Sequence, residues 1–347
     1  MSTNTPVRVL NLLGQPRVYM SLAIVAVAAF APMLVSSSIQ RMLVLTFIIG
    51  TGAIAWNVIG GYGGQFSLGN GVFFGASAYV LAILLINFEQ GLAVALPASL
   101  LATLLIAVVI GYPAFRLRSH YFALATIVVV EGARFLVRHF RDITGGEVGI
   151  SLAQARVRGV ATLGFTDLQY YLLGLALFAG AAFLSAYIRY SKLGFYLMAI
   201  RDDQQAAAAV GIDTSKYKMY GWLVSAFLTG LAGVMYAIYV QYLDPNFMFG
   251  IPESVLLAVI PIIGGAGTVT GPVIGALIMW PLLHIATTQF GGRFGAIAYM
   301  GYGTVLILMI MYAPEGIVAQ LKGYGSRIER RLPIFTVGST DPDFGWD

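Results

Sequence analysis

Glu131 and Arg134 stand three residues apart inside an otherwise apolar run, YFALATIVVVEGARF at 121–135, and their types and spacing invite chemistry. On a helix, residues at i and i+3 share a face, so carboxylate and guanidinium meet. A carboxylate at the centre of a lipid-embedded helix costs about 2.5–3.5 kcal/mol, which makes the partner matter. The pair reads as a lining or gating element of a polar pathway, or as a structural ion pair. A proton-carrying Glu131 in a secondary transporter is a third reading. Other chemistry is excluded more firmly. His120, His139 and His284 are far apart and form no H-E-x-x-H pattern, and the chain has no cysteine. Disulfides, iron–sulfur clusters and thiolate metal sites are therefore out, and no metal site is expected. There is also no G-x-x-x-x-G-K-[ST] run to cradle phosphates, so any ATP must be bound by another protein. The expectation is a non-catalytic chain with no cofactor.

The setting follows from composition. Charged residues make up 10% of the chain and apolar residues 59%, against about 25% charged in soluble domains. Such a chain belongs in a bilayer, where about 20 apolar residues cross as a helix. Ten spans are expected, at 18–36, 42–59, 71–87, 92–113, 121–138, 169–188, 220–241, 254–264, 272–288 and 296–313, two of them short or interrupted. The first, VYMSLAIVAVAAFAPMLV, is too long for a signal-peptide core and reads as an uncleaved anchor with a cytoplasmic N-terminus. Strict alternation then puts most lysines and arginines inside, which is the expected bias, and places both termini and the charged stretch 189–219 in the cytoplasm. The modest basic excess reports orientation rather than nucleic-acid binding. The expected fold is an all-α polytopic membrane protein. One permease domain fills 1–347: a first group of spans at 18–188, a cytoplasmic segment at 189–219, a second group at 220–313 and a tail at 314–347.

Two glycine-rich stretches interrupt the spans. GGYGGQFSLGNGVFFGASAYV at 60–80 carries Gln65, Ser67 and Asn70 where lipid offers no partner, and GGAGTVTGPVIGALIMW at 264–280 repeats its G-G-x-G opening. Irregular backbone at membrane depth survives only inside protein or beside a wet cavity. The repeat predicts two related halves with broken helices meeting near a pathway lined by Gln65, Ser67, Asn70 and Glu131. Close packing of helices through small residues is the competing explanation of the individual glycines.

Residues 196–222, YLMAIRDDQQAAAAVGIDTSKYKMYGW, are too charged to span. The composition predicts a helix from Gly194 to Val210, with Gly211 left-handed at its end and Asp213 capping the next helix near Ser215. On that first helix Arg201, Gln204, Gln205 and Ala208 fall toward one side. A short helix of small residues and a few charges suits a groove on another protein. The long polar stretch 139–168 is the expected external contact surface, with Arg141, Asp142 and Glu147 at its rim.

Gln205, Ala206, Ala207 and Gly211 resemble the EAA-x-x-x-G signature of ATP-binding-cassette importer permeases. The fuller run AIRDDQQAAAAVGID is similar to the high-affinity branched-chain amino acid permeases of the LivM type. The resemblance extends to GYGGQFSLGNGVFFGASAYV, YFALATIVVVEGARF with ITGGEVGI, LAGVMYAIYVQYLDPNFMF and GGAGTVTGPVIGALI, in order over roughly 40–315. Gln205 stands where the wider signature has Glu, and Asn70 where related permeases often have His. The resemblance implies a complex in the bacterial inner membrane with a homologous LivH-type permease, two cytoplasmic ATPases and an external solute-binding protein. It makes Arg201, Asp202, Asp203, Gln205, Ala206, Ala207 and Gly211 the ATPase-coupling residues. The implied cargo is branched-chain or other hydrophobic amino acids, with urea or short amides as the alternative within the family.

The topology has a direct check in this cysteine-free chain. A cysteine at Thr214 is expected to react only with a cytoplasmic thiol reagent and one at Ser151 only with an external one. Labelling of both from one face would show an odd number of missing or surplus crossings between them.

Overall fold

The computed structural model describes residues 28–33, 35–117, 119–153 and 164–290, with Gly303, Thr304, Ile307, Met311 and 316–318. The chain is built from ten principal helices within these residues: α1 Ser37–Trp56, α2 Asn70–Ile86, α3 Leu92–Ala114, α4 Ser119–His139, α5 Asp167–Arg189, α6 Lys192–Asp202, α7 Gln204–Ala209, α8 Thr214–Val240, α9 Ile251–Gly265 and α10 Thr270–Phe290. One-turn helices at Arg141–Thr144 and Pro245–Met248 join them. A departure from the all-α expectation is a ladder of two two-residue strands. β1 Ile150–Ser151 pairs antiparallel with β2 Tyr242–Leu243, Ile150 opposite Leu243 and Ser151 opposite Tyr242.

Six described segments are long and apolar enough to cross a membrane: Ser37–Tyr62, Leu92–Ala114, Asp167–Arg189, Thr214–Val240, Pro245–Gly265 and Thr270–Thr288. The fold is accordingly that of an all-α polytopic membrane protein. The expected span at 71–87 is the shorter apolar helix α2. That at 121–138 is α4, whose Glu131, Arg134 and Arg138 keep it outside the six. Most of 18–36 and 296–313 lies outside the described residues.

Helices α1 and α8 form the centre. In the most apolar window, 83% of the first span is buried, against 22% for α3. Helix α1 packs on α5, α10 and α9, and α8 packs along α2 and α3. The outer faces of α3 and α4 present Leu105, Val109, Val128 and Phe135 outward, the apolar surface a helix shows to lipid. Between α3, α4 and α8 lies an aromatic knot. Trp222 meets Phe73 edge-on at 4.9 Å, Phe115 stacks on Phe122 at 5.4 Å, and the Trp222 indole donates to Ala107 O at 2.9 Å. Burying this N–H without an acceptor would cost roughly 1–3 kcal/mol.

The α2–α8 contact depends on the missing side chain of Gly233, since a Cβ there would run into Phe74 O. Small residues let membrane helices approach this closely. Gly233→Leu is expected to lower the yield of monodisperse protein several-fold, because overpacking costs about 1–3 kcal/mol. Gly132→Leu should leave it unchanged, since among the described residues a Cβ on Gly132 meets nothing within 4 Å. Equal yields measured by size-exclusion chromatography would refute the close-packing account.

Candidate functional site

The two glycine-rich breaks meet in space, and a residue outside the expected site joins them. Beyond Trp56, α1 widens into a π-helical turn, Asn57–Tyr62, because glycines at 60, 61, 63 and 64 weaken the α-helical ladder. Irregular backbone then returns the chain to α2. Asn57 is fully buried in this turn. Its amide donates to Thr268 O at 2.9 Å, and its carbonyl oxygen accepts from Gly267 N at 2.8 Å. One side chain thus satisfies a donor and an acceptor of the α9–α10 break, where Gly267 takes φ +78°. A Cβ on Gly61 would collide with that same Asn57 oxygen.

Arg201 adds the third element. From the last turn of α6 its Nη1 donates to Gly61 O at 2.7 Å, and a Cβ on Gly267 would run into the same guanidinium. Leu197, one turn earlier and fully buried, fills the space beside Gly63, Gly221 and Ile59. Tyr62 fixes the other side. Its hydroxyl lies 2.8 Å from Ser185 Oγ of α5, and the Arg189 guanidinium sits 5.6 Å from its ring centre. The π turn, the α9–α10 break, α5 and α6 therefore form one bonded node.

The charged segment is two helices rather than one. Asp203 adopts extended dihedrals, φ −154° and ψ 109°, and its carboxylate accepts from Gln205 N at 2.7 Å and Ala206 N at 3.0 Å. An aspartate in this position is a strong N-cap, and capping here outweighs helical continuity. The break corrects the expected shared face. Arg201 points back to Gly61, and Gln204 accepts from the buried Lys218 of α8 at 2.7 Å, while Gln205 and Ala208 face outward. Ala207 is the one buried residue of α7 and packs on its own chain. From Arg201 to Gly211 every residue but Ala207 is exposed. Gly211 has φ +88°, and the Asp213 carboxylate caps α8 through Lys216 N at 3.1 Å, both as the sequence predicts.

Three of the four expected pathway residues, Gln65, Ser67 and Asn70, are held inside the protein. Ser67 Oγ accepts from Gly69 N at 3.0 Å, and Asn70 donates to Ser225 Oγ and Thr229 Oγ1 of α8 at 3.0 and 3.2 Å. Gln65 is buried near Gly63 O. Among the described residues, Asn70 Oδ1 is buried without a donor. Glu131 pairs with Arg134 on α4, both partly exposed.

At the far end of α8 the segment 140–151 braces 242–250. Tyr79 OH donates to Leu243 O at 3.1 Å, and Asn87 donates to Ile143 O at 3.1 Å. Arg141 and Asp142 are exposed, whereas Glu147 is held by Arg138 at 2.6 Å. Residues 154–163 of the expected contact surface lie outside the described residues. Asn57 and Lys218 were missed in the sequence. Their signal was a lone amide before GGYGG and the second lysine of KYKMYGW, neither of which names a partner.

Comparison with known proteins places this geometry. The profile of a family described as branched-chain amino acid transport system / permease component matches residues 38–313. The high-affinity branched-chain amino acid transport permease protein LivM of Escherichia coli K12 is 26% identical over 318 residues, covering 85% of this chain and 73% of LivM. LivH of the same strain is 21% identical over 285 residues, covering 77% and 90%. The L-arabinose ABC transporter permease AraH of Azospirillum brasilense is 23% identical over 208 residues, 57% and 56% of the two chains. No solved structure matches. The matched span takes in both glycine breaks, the charged helix pair between them and the braced segment at the far end of α8, and the chain belongs to the branched-chain amino acid transport permease family.

Proposed function

We propose that this chain is the membrane-spanning subunit of an ATP-driven importer for branched-chain or other apolar amino acids. It works beside a homologous permease, with two cytoplasmic ATPases and an external solute-binding protein, in the bacterial inner membrane. Ten crossings in two related halves, each with a broken helix, complete this reading. The observation that carries it is the attachment of the charged helix pair to both breaks through Arg201 and Asn57.

The exposed side of α7, with Asp202, Gln205, Ala206 and Ala208, is the surface offered to the ATPase, and Gly211 sets the turn that presents it. Ala207 acts behind that surface, and Arg201, itself exposed, bonds the first break at its edge. When nucleotide draws the ATPases together, α6 and α7 move with the π turn and the α9–α10 break, and α5 and α8 follow as levers. No residue here performs covalent chemistry. At the other end of α8, Arg141 and Asp142 and the Arg138–Glu147 pair form the rim for the solute-binding protein. Gln65, Ser67, Asn70 and Glu131 belong to the walls along which the cargo passes. The Arg134 guanidinium pairs with Glu131 in that wall.

Uptake by the reconstituted complex should follow ATP and its binding protein, and should persist without a proton gradient. Arg201→Ala and Asn57→Leu are expected to leave ATP hydrolysis near wild type and to lower leucine transported per ATP roughly tenfold. That loss matches about 1.4 kcal/mol, within the cost of orphaning a buried hydrogen-bonding group. An unchanged ratio in both variants would sink the node as coupling element. Gly211→Val should also uncouple, since a β-branched residue resists positive φ. Ala207→Arg is expected instead to displace α7 from α8 and lower assembly with the ATPases, read as co-purified stoichiometry.

A further inference from the structure

Helices α3 and α8 run antiparallel, since Gly230 lies beside Leu100 and Thr103 while Gly111 lies beside Met219 and Trp222. Successive residues of a helix turn by about 100°. In an antiparallel pair, the residues that follow the contact on each helix therefore come to the same flank of the seam. Tyr112 follows Gly111, and Tyr220 follows Met219. One turn further toward the end of the bundle that carries α6 and α7, this flank gains Arg116 just past α3 and Lys216 on α8. In the other direction it gains Leu105 and Val109 on α3, and Leu223 and Phe227 on α8. All but the half-buried Leu223 are exposed, Val109 to 72% and Tyr112 to 64%.

Each cation on this flank sits by its own tyrosine. The Arg116 guanidinium lies 4.6 Å from the Tyr112 ring centre, and its Nη2 donates to the Tyr112 hydroxyl at 2.7 Å. The Lys216 ammonium lies 6.0 Å from the Tyr220 ring centre. Among the described residues the salt bridges are Glu131–Arg134 and Arg138–Glu147, so neither cation has a carboxylate partner. Asp213, one turn before Lys216, is given to the backbone and accepts from Lys216 N at 3.1 Å. The flank is thus apolar along its length and cationic at one end, with tyrosines where the two meet. Tyrosine favours the level of lipid headgroups, and basic residues there attract anionic lipid. A soluble phosphate would use the cations and leave the apolar part bare.

We propose that this flank of the α3–α8 seam is a binding site for one anionic phospholipid. The phosphate oxygens accept from Arg116 and Lys216, and the acyl chains lie along Leu105, Val109, Leu223 and Phe227. The site depends on the membrane setting and not on the importer reading. A headgroup bonded to both cations ties α8 to α3 two residues from Lys218, which holds Gln204 of α7. The lipid therefore braces the helix that carries the charged pair.

The test is native mass spectrometry of the full chain, alone and in its complex, titrated with phosphatidylglycerol and with phosphatidylcholine of the same acyl chains. Phosphatidylglycerol should bind more tightly, by on the order of tenfold. Arg116→Gln and Lys216→Gln are each expected to weaken phosphatidylglycerol roughly fivefold and to leave phosphatidylcholine unchanged, which also reports an intact fold. Lys192→Gln removes another exposed cation of the same end and should change neither lipid, a split that net charge alone would not produce. Equal binding of the two lipids overturns the site, as does a loss in Lys192→Gln equal to that in the other variants. Soluble glycerol phosphate should not compete; displacement by it would make this a phosphate site and overturn the lipid assignment. Phosphatidylglycerol binding should survive in the complex, and its loss on assembly would give the flank to a protein partner and overturn the assignment too.

Discussion

A helix broken inside an apolar protein leaves backbone donors and acceptors that neither lipid nor water can reach, and each must find a partner within the chain. Asn57 meets that constraint by bonding Gly267 N and Thr268 O at once. The amide is suited to the task because it offers a donor and an acceptor from one rigid plane. It fixes the register of the first break against the second, and the rest of the arrangement is built around this junction. The glycines make room for it: a Cβ at 61 would strike Asn57, and one at 267 would strike Arg201. The composition of the breaks is thus set by close approach of backbone to side chain as well as by turn geometry.

Once the breaks are joined, the charged pair of helices is bonded to them through α6. Arg201 bonds the first break at Gly61, Leu197 is buried against its glycines, and Lys218 with Ala207 ties α7 to the base of α8. A push on the exposed side of α7 therefore reaches α8, which packs along α2 and α3, through bonded contacts and close-packed side chains. Packed interiors shift between discrete arrangements rather than deform smoothly. Such a connection suits a subunit whose energy is supplied by a separate protein.

Local chemistry was legible in the sequence, and long-range partnership was not. Gly211 and Asp213 could be placed because a left-handed residue and an N-cap act within four residues of themselves. The same logic, applied to Asp203, would have found the break between α6 and α7; the alanine run after it masked the cap. The two breaks were visible as glycine clusters, but their meeting rests on a side chain 210 residues away, which no periodicity encodes. Gln65, Ser67 and Asn70 read as polar groups needing partners. Ser67 finds Gly69 N, and Asn70 finds two hydroxyls on α8.

The central claim is that the charged helix pair and the two glycine breaks move as one body. It is tested by electron paramagnetic resonance distances in the assembled complex, with spin labels at the exposed Ala208 of α7 and the exposed Thr270 beyond the second break. A second pair joins Ala208 to Ser151 at the far end of α8. Between the nucleotide-free and ATP-trapped states, the Ala208–Thr270 distance should stay fixed while the Ala208–Ser151 distance changes. A change in Ala208–Thr270 with no change in Ala208–Ser151 would mean that α7 slides on the breaks without carrying them, and would contradict the account.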